Sequence, residues 1–462
     1  MTCGKHPENF LTGSRRDFLQ QMGAGFGLLA LGTMLNEASA QDSSLVVREP
    51  HFKPTAKRVC HIYMSGGQSQ QDHWDYKPEL QAADGKKTGA RSLLASPFKF
   101  APQGRSGIML SEVWPQLSTV ADDIAFVRSM YTDIPDHEAG TLLQTTGDNR
   151  LVKPSLGSWV VYGLGSMNKS LPAFIALNAG GMPTGGTRNW GSAFMPGSYQ
   201  GTYIDSTNTK IEKIIENIKS DHIGRKEQRD QLDLLSRLNE IHKQKRQADG
   251  QLEARIQTFE LAYKMQTEAV EAFELSGESA ATLDLYGVNS MNRQEAQQGR
   301  QMLIARRLLE RGVRFVQCWN GGWDHHQGIA TAGRARAGAV DRPIAGFIKD
   351  LKQRGMLDET LVACGTEFGR SSTEDNLGGR SHNSKAFTSW MAGGGLKGGQ
   401  QYGATDELGS TAVDNKVHVH EFHATILHAL GFDAQNLTFR SGGRDFRLID
   451  VSNARPVMPL FS

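Results

Sequence analysis

Thr360-Leu361-Val362-Ala363-Cys364-Gly365-Thr366-Glu367-Phe368-Gly369-Arg370 is the stretch from which the fold can be read. Its near-continuous apolar start suits a strand of a parallel sheet covered on both faces, and the switch to polar residues at Thr366 marks the strand's carboxyl end. A polar, glycine-rich loop then leads to Gly379-Arg380-Ser381-His382-Asn383, and a second apolar run, Ala386 to Ala392, stops in Gly393-Gly394-Gly395. Open α/β sheets place ligands beyond the carboxyl ends of their strands, so Glu367 and His382 become candidates. Upstream, a strand from Val313 to Trp319 runs into Gly321-Gly322-Trp323-Asp324-His325-His326. If that segment is extended, Asp324 and His326 alternate onto the same side.

Working outward, Arg58 to Met64 reads as the first core strand and breaks into Ser65-Gly66-Gly67-Gln68-Ser69-Gln70-Gln71-Asp72. The glycines allow a sharp turn and a close approach to a ligand, and Asp72 and Asp75 are the first acidic candidates there. The plainer alternative is an Asp that caps a helix. A second strand, Ile124 to Arg128, precedes His137. At a helix start the cationic form of this histidine is disfavoured by the dipole, leaving a neutral nitrogen free as ligand or base; the alternative is a packing histidine. A third strand covers Pro172 to Leu177, and the Gly-, Pro- and Trp-rich loop after it carries Arg188. Helices are expected from Ser111 to about Ala121 and over Ser155–Gly165, Arg293–Arg311 and Arg336–Arg354. Strand and helix in alternation argue for a parallel sheet with right-handed crossovers. Between Lys210 and Ser276 charged residues dominate and apolar ones recur at helical spacing, which predicts a long-helix insertion over residues 207–280. His420, His423 and His428 read as structural.

The chain has 462 residues and a net charge of +2, which gives no reason to expect nucleic acid as a partner. Ser14-Arg15-Arg16-Asp17-Phe18-Leu19 is a twin-arginine pattern, followed by a short apolar run and the small residues Ala38-Ser39-Ala40. Residues 1–40 are therefore expected to be a signal peptide that engages the twin-arginine translocation machinery, with a buried N-terminal helix as the alternative. The mature chain, 41–462, is then periplasmic or at the cell surface, with no segment long and apolar enough to span a membrane. Cys60, Cys318 and Cys364 each fall in a core strand and read as buried thiols rather than a disulfide framework. No dinucleotide fingerprint, P-loop or nucleophile elbow is present.

Donor sets of Asp, Glu and His suit zinc, manganese or iron, whereas carboxylates alone lean to magnesium or calcium. Gly66-Gly67-Gln68-Ser69 with Asp72, Pro154-Ser155-Leu156-Gly157-Ser158-Trp159, Gly322-Trp323-Asp324, Thr366-Glu367-Phe368-Gly369-Arg370 and His423-Ala424-Thr425-Ile426-Leu427 resemble one exported family. It is the domain-of-unknown-function family numbered 1501, placed with the alkaline phosphatase and sulfatase superfamily. The resemblance implies an α/β fold of the alkaline phosphatase type, with a mostly parallel central sheet between helices, and a metal-dependent hydrolase of phosphate or sulfate esters. It implies Asp324, His326 and His382 as ligands of a divalent cation, with Glu367 and Asp72 as further ligands. His137 is then the catalytic acid or base, or a covalent nucleophile, and Arg188 or Arg370 the anion clamp. Zinc or manganese is favoured over magnesium or calcium. The substrate would be a small anionic ester or a sulfated or phosphorylated glycan. Phe368 replaces a superfamily histidine, and Ser381 stands where close relatives have Asp; both suggest one metal rather than two, or a decayed site. The rival reading is a non-catalytic periplasmic or cell-surface binding protein built on a degenerate hydrolase site.

Overall fold

The computed structural model describes residues 45–168, 170–208, 224–245 and 271–461. The expected signal segment and much of 207–280 lie outside the described residues; within the expected insertion, a helix spans Arg225–Lys245. No helix among the described residues is long and apolar enough to cross a membrane.

Eleven strands matter for the site: β1 (Arg58–Met64), β2 (Ile124–Tyr131), β3 (Phe174–Asn178), β4 (Thr202–Asp205), β5 (Phe315–Asn320), β6 (Thr360–Gly365), β7 (Gly369–Glu374), β8 (Arg380–Asn383), β9 (Phe387–Ala392), β10 (Gln400–Tyr402) and β11 (Val417–His418). The central sheet runs β10-β2-β9-β6-β1-β5-β3-β4, with β11 also on β2. From β6 to β4 every pairing is parallel, as it is for β10 and β11 on β2. Only β9 runs against its neighbours β6 and β2. The fold is thus α/β with a mixed, mostly parallel sheet between helices.

Period-2 alternation along β1 explains why that strand is central. Cys60, Ile62 and Met64 enter one core, with Leu303, Leu308, Phe347 and Ile348 of the helices Arg293–Glu310 and Ile329–Gln353. Val59 and Tyr63 enter the other, with Trp159 and Val160 of Leu156–Leu164 and Phe422 and Ile426 of Val419–Ala429. Burial on both faces is why the sequence shows apolar runs there. Cys60, Cys318 and Cys364 are buried free thiols, as expected.

Three expectations need correcting. The residues after Ser111, read as a helix, form instead a strand end and a 3-10 helix over Leu117–Asp123. The helix expected from Arg336 begins at Ile329. The polar loop after Arg370 is a hairpin, β7 with β8, which places Arg370 opposite His382. Because β9 is antiparallel, its first residues, not its last, lie at the carboxyl end of β6. His382 therefore reaches the sheet's ligand-binding rim from the entry to β9.

Candidate metal centre

Close packing of the loops behind β1 and β5 is what builds the site. Gly66 has φ +121°, and a Cβ there would lie 2.5 Å from Asp324 N and 2.7 Å from Trp323 N. Only a residue without a side chain lets the first loop lie against the second. Gly379 does the same for the hairpin, since a Cβ there would come within 2.0 Å of His326 C. Ahead of Asp324 the chain turns through His325 N to Trp323 O (2.9 Å), and His326 N donates to Asp324 O (3.2 Å). Tight turns, not the extended segment expected, bring Asp324 and His326 together.

Four residues converge: His137, Asp324, His326 and His382, each with a ligand atom within 4.8 Å of the others. His137 opens the helix His137–Thr146, whose N-cap Asp136 accepts from Ala139 N. The Nε2 atoms of His137, His326 and His382 lie 3.2, 3.1 and 3.6 Å from Asp324 Oδ1. Nε2 of His326 and Nε2 of His382 are 3.0 Å apart.

The other ring nitrogens settle the tautomers. His137 Nδ1 meets Glu367 Oε1 at 2.6 Å, His326 Nδ1 meets Asp375 Oδ2 at 2.6 Å, and His382 Nδ1 meets Pro135 O at 2.8 Å. Each partner is an acceptor only, so each Nδ1 carries a proton and each ring turns its Nε2 inward, toward Asp324. Three Nε2 atoms and a carboxylate oxygen then face one another, and His137 Nε2 is buried without a hydrogen-bond partner. Such a group could hold a metal ion. Ligand bonds of ~2.0–2.1 Å in a tetrahedron separate donors by roughly 3.3–3.4 Å, close to the observed spacings. Histidines fixed through Nδ1 by carboxylate or carbonyl are the usual support of metal ligands.

The electrostatics follow from the same contacts. Asp324 is held down to about 2: burial works against its charge, but the hydrogen bond and charge of Arg370 outweigh it. His137 is raised; burial opposes its protonation and the bond to Glu367 overrides that. The helix-start argument for a weakly basic His137 is corrected accordingly, because a carboxylate in contact outweighs a half-charge at a helix end. His382 is lowered, first by burial.

Other sequence candidates occupy supporting places. Both oxygens of Asp72 bind Arg380, at 2.7 Å to Nε and 3.0 Å to Nη2, and Ser69 Oγ donates to the same carboxylate. Asp72 and Arg380 are fully buried. Burial alone would raise the acid, yet Arg380 carries it below the ordinary range. Asp72 thus stands outside the convergent group, in a buried ion pair. Glu367, also fully buried, accepts from Gly66 N at 2.8 Å besides His137, and supports the ligand rather than joining the group. The guanidinium of Arg370 donates to Gly67 O (2.8 Å), Arg380 O (2.9 Å), Gly66 O (2.5 Å) and Asp324 Oδ1 (2.5 Å). All three of its nitrogens are engaged, so it has no free fork for an anion. Arg188 pairs with Glu138 in the open. Phe368 packs its ring on His137 and His382, at centroid distances of 4.9 and 4.5 Å. Ser381 accepts from Arg91 and is not in the group.

Sequence reasoning missed Asp375, the Pro135 carbonyl and Arg380. Asp375 lies in a polar turn of a kind common on any surface, and a carbonyl leaves no mark in the sequence. His423 is buried and bonded through Nε2 to Gln144 O at 2.7 Å, a structural role as expected.

No curated protein matches the chain. Among solved structures it is similar to a protein in the alkaline phosphatase superfamily from Vibrio parahaemolyticus, with 9% identity, 89% of this chain and 76% of that one covered, and a TM-score of 0.37. It is also similar to the sulfatase PsFucS1 from Pseudoalteromonas sp. (12% identity, 91% and 72% covered, TM-score 0.34). A third is the lipoteichoic acid synthase LtaP from Listeria monocytogenes (8%, 88% and 78%, 0.36). The family model described as "Protein of unknown function (DUF1501)" matches residues 56–461, nearly the whole described chain, and the protein belongs to that family.

Proposed function

We propose that this protein is an exported, metal-dependent hydrolase of phosphate or sulfate esters. One observation carries the metal: three histidines whose Nδ1 atoms are already engaged turn their Nε2 atoms to Asp324. His137, His326, His382 and Asp324 would hold the cation, and three imidazoles with one carboxylate favour zinc or manganese over magnesium or calcium. When bound, a divalent ion polarises an ester oxygen and lowers the pKa of a coordinated water. Glu367 and Asp375 hold the rings of His137 and His326 in the required tautomer. Arg370 offsets the carboxylate of Asp324. Phe368 closes one side of the imidazole pair to water. The ester itself comes from the resemblance to the alkaline phosphatase and sulfatase superfamily, with a small anionic ester or a sulfated or phosphorylated glycan as substrate. The twin-arginine pattern supports a periplasmic or cell-surface location.

A second reading has one observation in its favour. The buried Arg370 binds the half-exposed Asp324, so the carboxylate already has a cation partner. A binding protein that has lost turnover would keep that pair. The two readings separate in one experiment. Purified protein is analysed for metal, melted with and without chelator, and screened against aryl phosphate and sulfate esters. The hydrolase reading expects bound metal, a lower melting temperature in chelator and turnover. His382→Ala and Asp324→Asn should lose metal, while His423→Ala should retain it. Absence of metal in the wild type, with no response to chelator, would leave the binding protein standing.

A further inference from the structure

Two donors without acceptors flank the turn that leads into Asp324. Asn320 ends β5 and is 2% exposed. Its Oδ1 accepts from Trp323 Nε1 at 2.7 Å, which fixes the amide, and its Nδ2 is buried without a hydrogen-bond partner. Arg336 stands on the helix Ile329–Gln353, where a Cβ on Gly322 would lie 3.4 Å from its Nε and 3.5 Å from its Cζ. That Nε is also buried without a partner. Asn320 shares a face of β5 with Val316 and Cys318, which pack in one core with Val340, Ile344 and Phe347 of the same helix. One donor thus comes from the strand end and one from the helix, and both border Gly321-Gly322.

Arg336 differs from its neighbours on the helix. Arg334 pairs with Glu112, and Arg342 with Asp284 and Glu295. Arg336 has no ion pair among the described residues, and burial alone lowers its pKa, with no carboxylate to offset it. A cation and an amide N–H held out of water without partners both destabilise a fold. Each can donate only, so the group that would satisfy both is an acceptor carrying negative charge. Gly322 and Asp324 are both exposed, so solvent reaches the turn and the centre alike. Two trans peptide units put the Cα atoms of these two residues at most about 7.6 Å apart. The donors therefore stand beside the proposed metal centre, outside its four converging residues.

We infer that Asn320 and Arg336 form an oxyanion subsite next to the metal centre, which receives a second sulfate or phosphate group of the substrate. Arg188 and Arg370, the clamps expected from the sequence, are engaged elsewhere and leave this role open. The subsite itself needs no metal; its part in substrate recognition rests on the hydrolase reading above. Of the two substrate classes named there, it selects the glycan bearing several sulfate or phosphate groups over the small ester bearing one.

Calorimetry with inorganic sulfate on protein in chelator tests the subsite without metal. Wild type should bind sulfate, and Arg336→Gln should weaken that binding about tenfold or more. Asn320→Asp, which gives Arg336 a carboxylate of its own, should weaken it at least as much. Urea unfolding of the same proteins supplies a readout that a packing arginine would move. Arg336→Gln removes a buried unpaired charge, so its midpoint should stay at or above that of wild type. On metal-loaded protein, a disulfated disaccharide should bind about tenfold tighter than its monosulfated form. In Arg336→Gln that preference should fall to about twofold or less, with metal content unchanged. Absence of sulfate binding in chelator, or a Gln variant that fails to fold or unfolds well below wild type, overturns the subsite and leaves the hydrolase reading intact. Equal affinity of wild type for the two disaccharides makes the subsite one for the free ion and overturns its part in substrate recognition. Sulfate bound through Arg336 by a chain that takes up no metal keeps the subsite and overturns the hydrolase reading.

Discussion

Asp72→Asn separates a structural carboxylate from a ligand. The substitution keeps the side chain's volume and removes its charge, so no cavity forms and the effect falls on Arg380. That guanidinium is fully buried, with Nε and Nη2 on Asp72 and Nη1 on Ser371 O at 3.1 Å. Breaking a buried pair by neutralising one partner costs about 3–5 kcal/mol, because the other charge stays out of water. Against a total stability of ~5–15 kcal/mol, that is a large share. Arg380 also lends its carbonyl to Arg370, so some slackening beneath Asp324 should accompany the loss. Urea unfolding of both proteins in chelator measures the stability term without metal. Elemental analysis of folded, metal-loaded protein measures the other. The expected outcome is a midpoint well below wild type with metal still bound at one per chain. A double variant, Asp72→Leu with Arg380→Met, should recover most of the loss, since an apolar pair can replace a buried ion pair. Loss of metal at unchanged stability would refute the reasoning and return Asp72 to the ligands.

Asp375→Ala releases the ring of His326 and should weaken metal binding roughly 10–100-fold in chelator competition, with unfolding in chelator changed by less than about 1 kcal/mol. Acid should destabilise the fold through His61, whose full burial holds its pKa down to about 4. A depressed native pKa means stability fully present above the unfolded value of ~6.5 and lost as pH falls toward 4, about 2 kcal/mol between pH 7 and pH 5 for this one residue. Urea unfolding in chelator at the two pH values, for wild type and His61→Phe, checks it; an equal pH response in both proteins would contradict it. Replacing Arg15 and Arg16 by Lys should leave the precursor in the cytoplasm, because Lys lacks the planar fork of Arg; mature protein still found outside by fractionation would remove the twin-arginine assignment.

The sheet was legible because its chemistry is repetitive. Strands β1, β5 and β6 are buried on both faces, so each writes an apolar run into the sequence and ends where polar residues begin. Candidate ligands were legible for the same reason, as acids and histidines just past those ends. Direction was not: nothing in Phe387–Ala392 tells an antiparallel strand from a parallel one, since both are fully buried. Nor did the glycine-rich stretch after Arg370 announce a hairpin, although that hairpin carries both Arg380 and His382.

The fate of each acid was harder to read, because a carboxylate's role depends on which donors reach it across the fold. Asp72, Asp324 and Glu367 all follow core strands, and the sequence gives them equal standing. Arg380 reaches Asp72 from 308 residues away and closes it off. Gly66 N and His137 do the same for Glu367, from 301 and 230 residues away. Asp324 also has a cation, Arg370, yet its side chain remains 46% exposed while those of the other two are at 0%. Exposure is what separates them. A carboxylate sealed in the core cannot exchange its partner without local unfolding, so it can only support. A half-open one, facing three histidine Nε2 atoms, can exchange a cation with solvent. Of the three acids, Asp324 alone combines that access with converging donors, and the proposed metal centre belongs beside it.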